Sequence, residues 1–126
     1  MNRTVLVIAH STGFRQSLAG ILEGTGCLVM EAGNIKQAIV LLKAFKCDLV
    51  TWDLHNPEGG EDTLASQLLG CIDPEVPVVF VAATYSDLER FAAVARDRKR
   101  VQFLTKSVPP SSLSKTIGAM LFPEMR

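Results

Sequence analysis

A single aspartate at the end of an apolar run is the first place in this chain where chemistry is expected. Asp53 closes the run Leu49–Trp52 and is followed by Pro57 and by Gly59-Gly60. Ligand crevices of open α/β sheets lie outside the carboxyl ends of the strands, where such a side chain would project. The pattern therefore predicts a reactive or ligand-binding carboxylate at Asp53, with an ordinary strand-end cap as the alternative.

The strands and helices that position Asp53 can be predicted from the sequence, because short apolar runs alternate with segments that have the periodicity of a helix. The five predicted strands are Val5–Ala9, Cys27–Met30, Leu49–Trp52, Val76–Ala83 and Val101–Leu104. The helical segments have apolar residues at i, i+4, i+7 and i+8, as at Phe14, Leu18, Ile21 and Leu22, or at closely related spacings. Five strand–helix units predict right-handed crossovers and a parallel sheet with helices on both faces.

Residues with special backbone preferences mark the ends of these helices. Gly24 and Gly26 predict the end of the first helix, and Asn34 predicts the N-cap of the second. Pro109-Pro110 suits the first turn of the last helix.

Length and composition favour one globular domain spanning residues 1–126, with a core from about residue 3 to residue 122. The 13 Lys and Arg residues balance 13 Asp and Glu residues, which argues against direct nucleic-acid binding through bulk charge. Cys27, Cys47 and Cys71 show no paired spacing and are interpreted as reduced thiols. No apolar stretch approaches the length of a membrane span, so a cytoplasmic location is expected.

Three segments together resemble the receiver domain of two-component response regulators. They are Asp48–Asp53 with Pro57, Pro77–Ala83 and Phe103–Lys106. The resemblance runs from residue 3 to about residue 122 and implies a doubly wound (βα)5, flavodoxin-like, three-layer α/β sandwich with a five-stranded parallel sheet. It also implies a bacterial-type phosphorelay role in which the protein is not an enzyme beyond phosphorylation and dephosphorylation of itself.

The resemblance assigns roles residue by residue. Asp53 is expected at the phosphoacceptor position, and Lys106 at the position that contacts the phosphoryl group. Phe103 stands at the aromatic switch position, and His55 and Pro57 belong to the active-site loop. In the family, the acceptor attacks a phosphodonor while Mg²⁺, held by an acidic pair after the first strand, offsets the charge of the transferring group.

The chain departs from the family pattern at several of these positions. Ala9 and His10 stand where two acids are expected. Ala82 stands at the usual hydroxyl position, and Thr84, two residues further on, could supply a hydroxyl instead. Ser107 replaces the proline after the lysine. An atypical receiver is therefore predicted, with no cofactor or, if the site functions, weakly bound Mg²⁺.

Other features near Asp53 carry secondary interpretations. The acids Glu58, Glu61 and Asp62 are candidates to replace the missing pair from across the crevice, and Asp53 could instead pair directly with Lys106. Trp52 is interpreted as core packing, and a metal site made of His10, His55 and Asp53 has suitable ligand types without a spacing signature.

The only charge run consists of four basic residues between the fourth helix and the fifth strand. These are Arg96, Arg98, Lys99 and Arg100. A solvated loop is the simpler interpretation. The alternative is a docking face, formed with the fifth strand and the last helix, for a histidine kinase, an output protein or another signalling protein. A homodimer is left open, and no membrane partner is expected.

Three functions remain from the sequence. The first is a receiver domain that acts as a protein-interaction module with weak or absent phosphorylation at Asp53. The second is a functional phosphoacceptor that takes a phosphoryl group from a histidine kinase. The third is a small-ligand or nucleotide-binding domain of the flavodoxin-like type, although the chain contains no G-x-G-x-x-G or P-loop sequence and Ser11-Thr12-Gly13 is at best a weak phosphate-loop candidate.

Overall fold

Strands and helices alternate along the chain as the periodicity predicts. A computed structural model describes residues 3–54, 61–84, 89, 92, 95, 98–105 and 108–121. The strands are β1 (Thr4–Ile8), β2 (Leu28–Ala32), β3 (Leu49–Leu54), β4 (Val78–Ala82) and β5 (Val101–Thr105). The helices are α1 (Thr12–Gly24), α2 (Ile35–Ala44), α3 (Glu61–Gly70) and α4 (Pro110–Leu121). Residues 89, 92 and 95, between β4 and β5, are also helical and belong to the predicted fourth helix, so the label α4 denotes the last helix of the chain.

The five strands form one parallel sheet in the order β2-β1-β3-β4-β5. Every described neighbouring pair is parallel, and Ile8 lies beside Trp52 while Asp53 lies beside Val81. The chain therefore winds outward from β1 in one direction to β2 and then crosses back to β3, β4 and β5. This reversal of strand order puts the carboxyl ends of β1 and β3 side by side, at the kind of switch point where α/β proteins bind ligands.

Two apolar cores lie on opposite faces of the sheet because side chains alternate along each strand. Leu6, Val50 and Phe80 point to the face that packs with α2 and α3. Val7 and Leu49 point to the face that packs with α1 and α4. Burial on both faces explains the nearly continuous apolar runs of the central strands.

The helix ends follow the predicted signals. The Asn34 side chain accepts a hydrogen bond of 2.8 Å from the Gln37 amide, which makes it the N-cap of α2. Gly26 has φ of 96°, a left-handed conformation that glycine adopts without steric cost, just after α1 ends at Gly24. α4 begins at Pro110, as the proline pair predicts.

The predicted start of the fourth strand is wrong by two residues. Val76 belongs to a turn in which its amide donates to the Asp73 carbonyl, and the strand begins at Val78 after Pro77. The second strand also runs further than predicted, through Glu31 to Ala32. In the part of the chain described above, no helix is long and apolar enough to cross a membrane.

Candidate functional site

Asp53 lies where the sequence predicts, at the carboxyl end of the central strand β3. Its side chain is 5% exposed, in a strand whose other residues are almost entirely apolar. By alternation it shares the α1 and α4 face of the sheet with Leu49 and Thr51. The adjacent carboxyl end of β1 leads into the connection to α1, so residues of that connection form the nearest wall of the crevice.

That wall contains Ala9 and His10. Ala9 is 1% exposed, and its amide donates a 3.0 Å hydrogen bond to the Ala32 carbonyl, which extends the pairing of β1 with β2 by one residue. His10 is exposed and precedes Ser11, the N-cap of α1. The two residues after β1 therefore present a buried methyl group and an exposed imidazole.

Arg15 is a feature of this corner that the sequence analysis missed. Its Nη1 donates a 2.8 Å hydrogen bond to the Ala9 carbonyl, and its Nε lies 3.3 Å from Oε1 of Glu31. A guanidinium on α1 is thus held against the carboxyl ends of β1 and β2. Its partners come from two separate strands, so no local spacing in the sequence could have marked it.

Ala82 stands at the position, on the strand next to Asp53, where the receiver resemblance expects a hydroxyl side chain. Ala82 ends β4, is fully buried, and lies in register with Leu54 on one side and Thr105 on the other. Thr84 lies two residues beyond the end of β4 and is exposed. The candidate hydroxyl group of Thr84 is therefore on the loop that follows the strand, at the same end of the sheet as Asp53.

Three aromatic side chains join β3, β4 and β5 directly below this edge. Trp52, Phe80 and Phe103 are in register on the three strands. The Trp52 and Phe80 ring centroids are 5.4 Å apart, and those of Phe80 and Phe103 are 5.2 Å apart with nearly parallel planes. We call these residues the aromatic ladder. Trp52 is 3% exposed, which confirms its interpretation as core packing.

Several predicted site residues lie outside the described residues. They are His55, Pro57, Glu58, Gly59, Gly60, Lys106 and Ser107. The predicted pairing of Asp53 with Lys106 and the His10, His55 and Asp53 metal hypothesis rest partly on these positions and stay predictions.

The basic run proves to be partly structural. The Arg98 guanidinium donates hydrogen bonds to the carbonyls of Ile72, Asp73 and Val76, at 3.3, 2.7 and 2.8 Å. Burial lowers the pKa of Arg98, and the Asp73 carboxylate opposes this effect. Arg98 therefore holds the turn before β4 and is not a freely solvated charge.

The neighbouring basic residues differ from Arg98 in their contacts. Arg100 is exposed and donates a 2.7 Å hydrogen bond to the Met120 carbonyl, while Lys99 is exposed without a described hydrogen bond. An open groove of about 620 Å³ lies here between β5 and α4, lined by Lys99, Arg100, Gln102 and Met120 among others. Arg96 lies outside the described residues.

A doubly wound parallel sheet in the order β2-β1-β3-β4-β5 places the protein in the class of flavodoxin-like α/β folds. The sequence matches the family model of the response regulator receiver domain over residues 5–118. The chain therefore belongs to the receiver domain family, whose members interact with histidine kinases and output domains in two-component signalling and commonly use Mg²⁺ when functional.

Solved structures with the same fold include three receiver proteins. The receiver domain of the Francisella response regulator 1452 is 20% identical, with a TM-score of 0.77, covering 98% of this chain and 99% of that one. A CheY-like receiver protein from Methanospirillum hungatei is 16% identical, with a TM-score of 0.80 and coverage of 99% and 98%. A two-component response regulator from Clostridium difficile is 22% identical, with a TM-score of 0.78 and coverage of 95% and 96%. No curated protein matches the sequence.

Proposed function

We propose that this receiver domain acts as a protein-interaction module in which Asp53 occupies the phosphoacceptor position but is phosphorylated weakly or not at all. The observation that carries the proposal is the wall beside Asp53. The two residues that follow β1 there, Ala9 and His10, are the positions to which the receiver resemblance assigns the acidic pair. A methyl group cannot bind a metal ion, and an imidazole is a poor ligand for Mg²⁺, which prefers hard oxygen ligands in an octahedron.

The charge at this corner supports the same proposal. The Arg15 guanidinium is fixed on the Ala9 carbonyl, and Glu31 is its ion-pair partner. A guanidinium supplies hydrogen-bond donors and no metal ligand, and its ion pair with Glu31 already engages that carboxylate, so this corner adds no free carboxylate for Mg²⁺. These residues do not fit a tight Mg²⁺ site, so any remaining Mg²⁺ binding is expected to be weak.

A functional phosphoacceptor is the second candidate, and the placement of Asp53 favours it. The carboxylate lies at the carboxyl end of the central strand, and Thr84 follows the neighbouring strand at the same edge. In this alternative, Thr84 and Lys106 contact the phosphoryl group, and Phe103 changes position in response.

Intact-mass spectrometry after incubation with acetyl phosphate and Mg²⁺ distinguishes the two candidates. We expect no phosphoryl gain, or only a slow one, for the wild type and none for Asp53→Asn. The variant Ala9→Asp/His10→Asp restores hard oxygen ligands and should accelerate Asp53 modification by about tenfold or more. His10→Asn is the matched control, because it removes the imidazole without adding a carboxylate.

Rapid stoichiometric phosphorylation of the wild type, abolished by Asp53→Asn, would establish the second candidate instead. The double variant must also be checked by circular dichroism, because Ala9 is buried and an aspartate there has a desolvation cost. If the folded double variant gains nothing over His10→Asn, the missing acids are not what limits the site.

The partner surface in this proposal is the face that carries the basic run, where a histidine kinase or output protein with acidic groups would dock. Lys99 and Arg100 border the groove between β5 and α4 and supply exposed positive charge. Since Arg98 holds the turn before β4, the informative charge reversals are Lys99→Glu and Arg100→Glu. Unchanged binding of a cognate histidine kinase by both variants would remove this face from the proposal.

A further inference from the structure

A groove beside the free edge of β2 has the features of a peptide-binding site, on the opposite edge of the sheet from β5. It has a volume of about 410 Å³ and lies between β2 and the carboxyl end of α2. We call it the β2-edge groove, and it is lined mainly by Leu28, Met30, Leu41, Phe45 and Lys46. We propose that it binds an extended acidic segment of a partner protein that carries one large apolar side chain.

The first support is exposed apolar surface. Leu28 is 55% exposed and Phe45 is 58% exposed, and both line the groove. Val40, on the outer surface of α2, is the one other large apolar side chain so exposed in the described part of the chain. Large apolar groups gathered in a concavity favour an apolar anchor residue from a partner.

The second support is the backbone of β2. The Leu28 amide donates to the Arg3 carbonyl, and the Ala32 carbonyl accepts from the Ala9 amide, so the even-numbered residues of β2 face β1. Strand alternation then directs the amide and carbonyl groups of Val29 and Glu31 toward the open edge. These groups can pair with an added strand, which is a common mode of peptide recognition.

The third support is charge, and it selects the chemistry of the partner. The segment 34–47, which contains α2, has three lysines and no acidic residue, although the whole chain has zero net charge. Lys43 and Lys46 are exposed beside the carboxyl end of α2, and Lys46 lines the groove. Among the described residues, Glu31 is the one acid in the lining, and its carboxylate is ion-paired with Arg15. An acidic segment is attracted to this end, whereas a second copy joined edge to edge would bring two sets of lysines together.

A peptide also fits better than an anionic membrane. The groove is concave, and its edge offers backbone donors and acceptors that a lipid headgroup does not use in a regular ladder. The inference extends the proposed interaction role to a second surface, but it does not depend on the phosphorylation state of Asp53. A negative result in the peptide-binding assay therefore leaves the proposal about Asp53 phosphorylation intact, and a negative result in the acetyl phosphate assay leaves the groove proposal intact.

Selection from a display library of random peptides of about ten residues tests the inference, since such a peptide spans β2 at roughly 3.3 Å per residue. We expect enriched sequences with two or more acids and a large apolar residue. In fluorescence anisotropy with one enriched peptide, Phe45→Ser and Lys46→Glu should each weaken binding by about tenfold. Val40→Ser and Lys36→Glu, matched changes on α2 outside the groove, should leave affinity within about twofold.

Amide hydrogen exchange tests the mode of binding. The bound peptide should protect the outward-facing amides of Val29 and Glu31 and leave those of Leu28 and Met30 unchanged, since these already face β1. The inference is overturned if no peptide is enriched, if enriched peptides lack acids, or if they bind Phe45→Ser and Lys46→Glu as tightly as the wild type. Preferential binding to phosphatidylserine vesicles, or dimerisation that is lost in Phe45→Ser, would equally overturn it.

Discussion

Arg98 shows how one side chain changes the interpretation of a charge run. Its guanidinium binds three carbonyls of the turn that leads into β4, so its removal leaves several acceptors without a partner. We predict that Arg98→Gln lowers the free energy of unfolding by ~2 kcal/mol. Lys99→Gln, next to it and exposed, should change the same quantity by less than ~0.5 kcal/mol. Urea unfolding of both variants provides the measurement, and equal effects would show that the Arg98 contacts contribute little.

Cys47 gives a prediction about pH at the residue scale. Burial, reinforced by the neighbouring Asp48 carboxylate, raises the pKa of the Cys47 thiol from 9.0 to about 11. A folded-state pKa above the unfolded value means that the protonated thiol stabilises the fold below about pH 9. This contribution is lost as the pH rises through about 11.

The raised pKa of Cys47 also predicts low reactivity, because the thiolate is the nucleophile. Near pH 8.5, iodoacetamide should modify Cys47 in the folded protein roughly 80-fold more slowly than in urea, where the thiol regains an ordinary pKa and a correspondingly larger thiolate fraction. Peptide mass spectrometry after timed quenching measures both rates. Equal rates in the folded and unfolded protein would contradict the shift.

At the scale of the element, the N-caps of α1 and α2 make a matched pair. Asn34 accepts a 2.8 Å hydrogen bond from the Gln37 amide, and the Gln37 side chain accepts one of 2.7 Å from the Gly33 amide. Ser11 accepts a single, longer bond of 3.3 Å from Phe14. We predict that Asn34→Ala costs ~1 kcal/mol of unfolding free energy and that Ser11→Ala costs less. Thermal unfolding of the two variants decides the order, and a larger loss for Ser11→Ala would contradict it.

Elements were predictable where a local pattern determines them. Burial on both faces of the sheet produced the continuous apolar runs of β1 and β4, and Asn34 and Pro110 marked helix starts through their own backbone chemistry. The start of β4 was misplaced because Val76 is apolar but belongs to a turn held by Arg98. The hydrogen bond between Arg98 and Val76 joins residues far apart in sequence, so the periodicity of apolar residues cannot predict it.

The candidate site also contains residues that the sequence could place and residues that it could not. Asp53 could be placed from its strand, because parallel strands bring their carboxyl ends to one edge. The Arg15 contacts to Ala9 and Glu31 could not be placed, because they depend on how α1 packs against two strands. The same limit applies to Asp48, whose carboxylate accepts a 2.8 Å hydrogen bond from the Thr4 amide and thereby joins β1 to the start of β3.

At the scale of the whole molecule, the aromatic ladder links the strand of Asp53 to the edge strand β5. Trp52 precedes Asp53, Phe80 is the largest fully buried side chain in the described structure, and Phe103 is half-buried on β5. The ladder provides a packed connection between β3, the strand of the candidate phosphoacceptor, and β5, which borders the face proposed for docking.

The central position of Phe80 leads to a prediction about cooperativity. Phe80→Leu removes ring contacts with both Trp52 and Phe103 and should lower the unfolding free energy by ~1–2 kcal/mol. Phe103→Leu should cost less than ~1 kcal/mol, because Phe103 is only partly buried and touches one ring of the ladder.

Trp52 is the only tryptophan, so its emission reports the packing of the ladder directly, and we expect a larger spectral change for Phe80→Leu than for Phe103→Leu. Urea unfolding curves followed by fluorescence and by circular dichroism should coincide for both variants, since the ladder joins three strands of one sheet. Separate transitions, or a greater loss for Phe103→Leu, would show that the ladder is not a single packed unit.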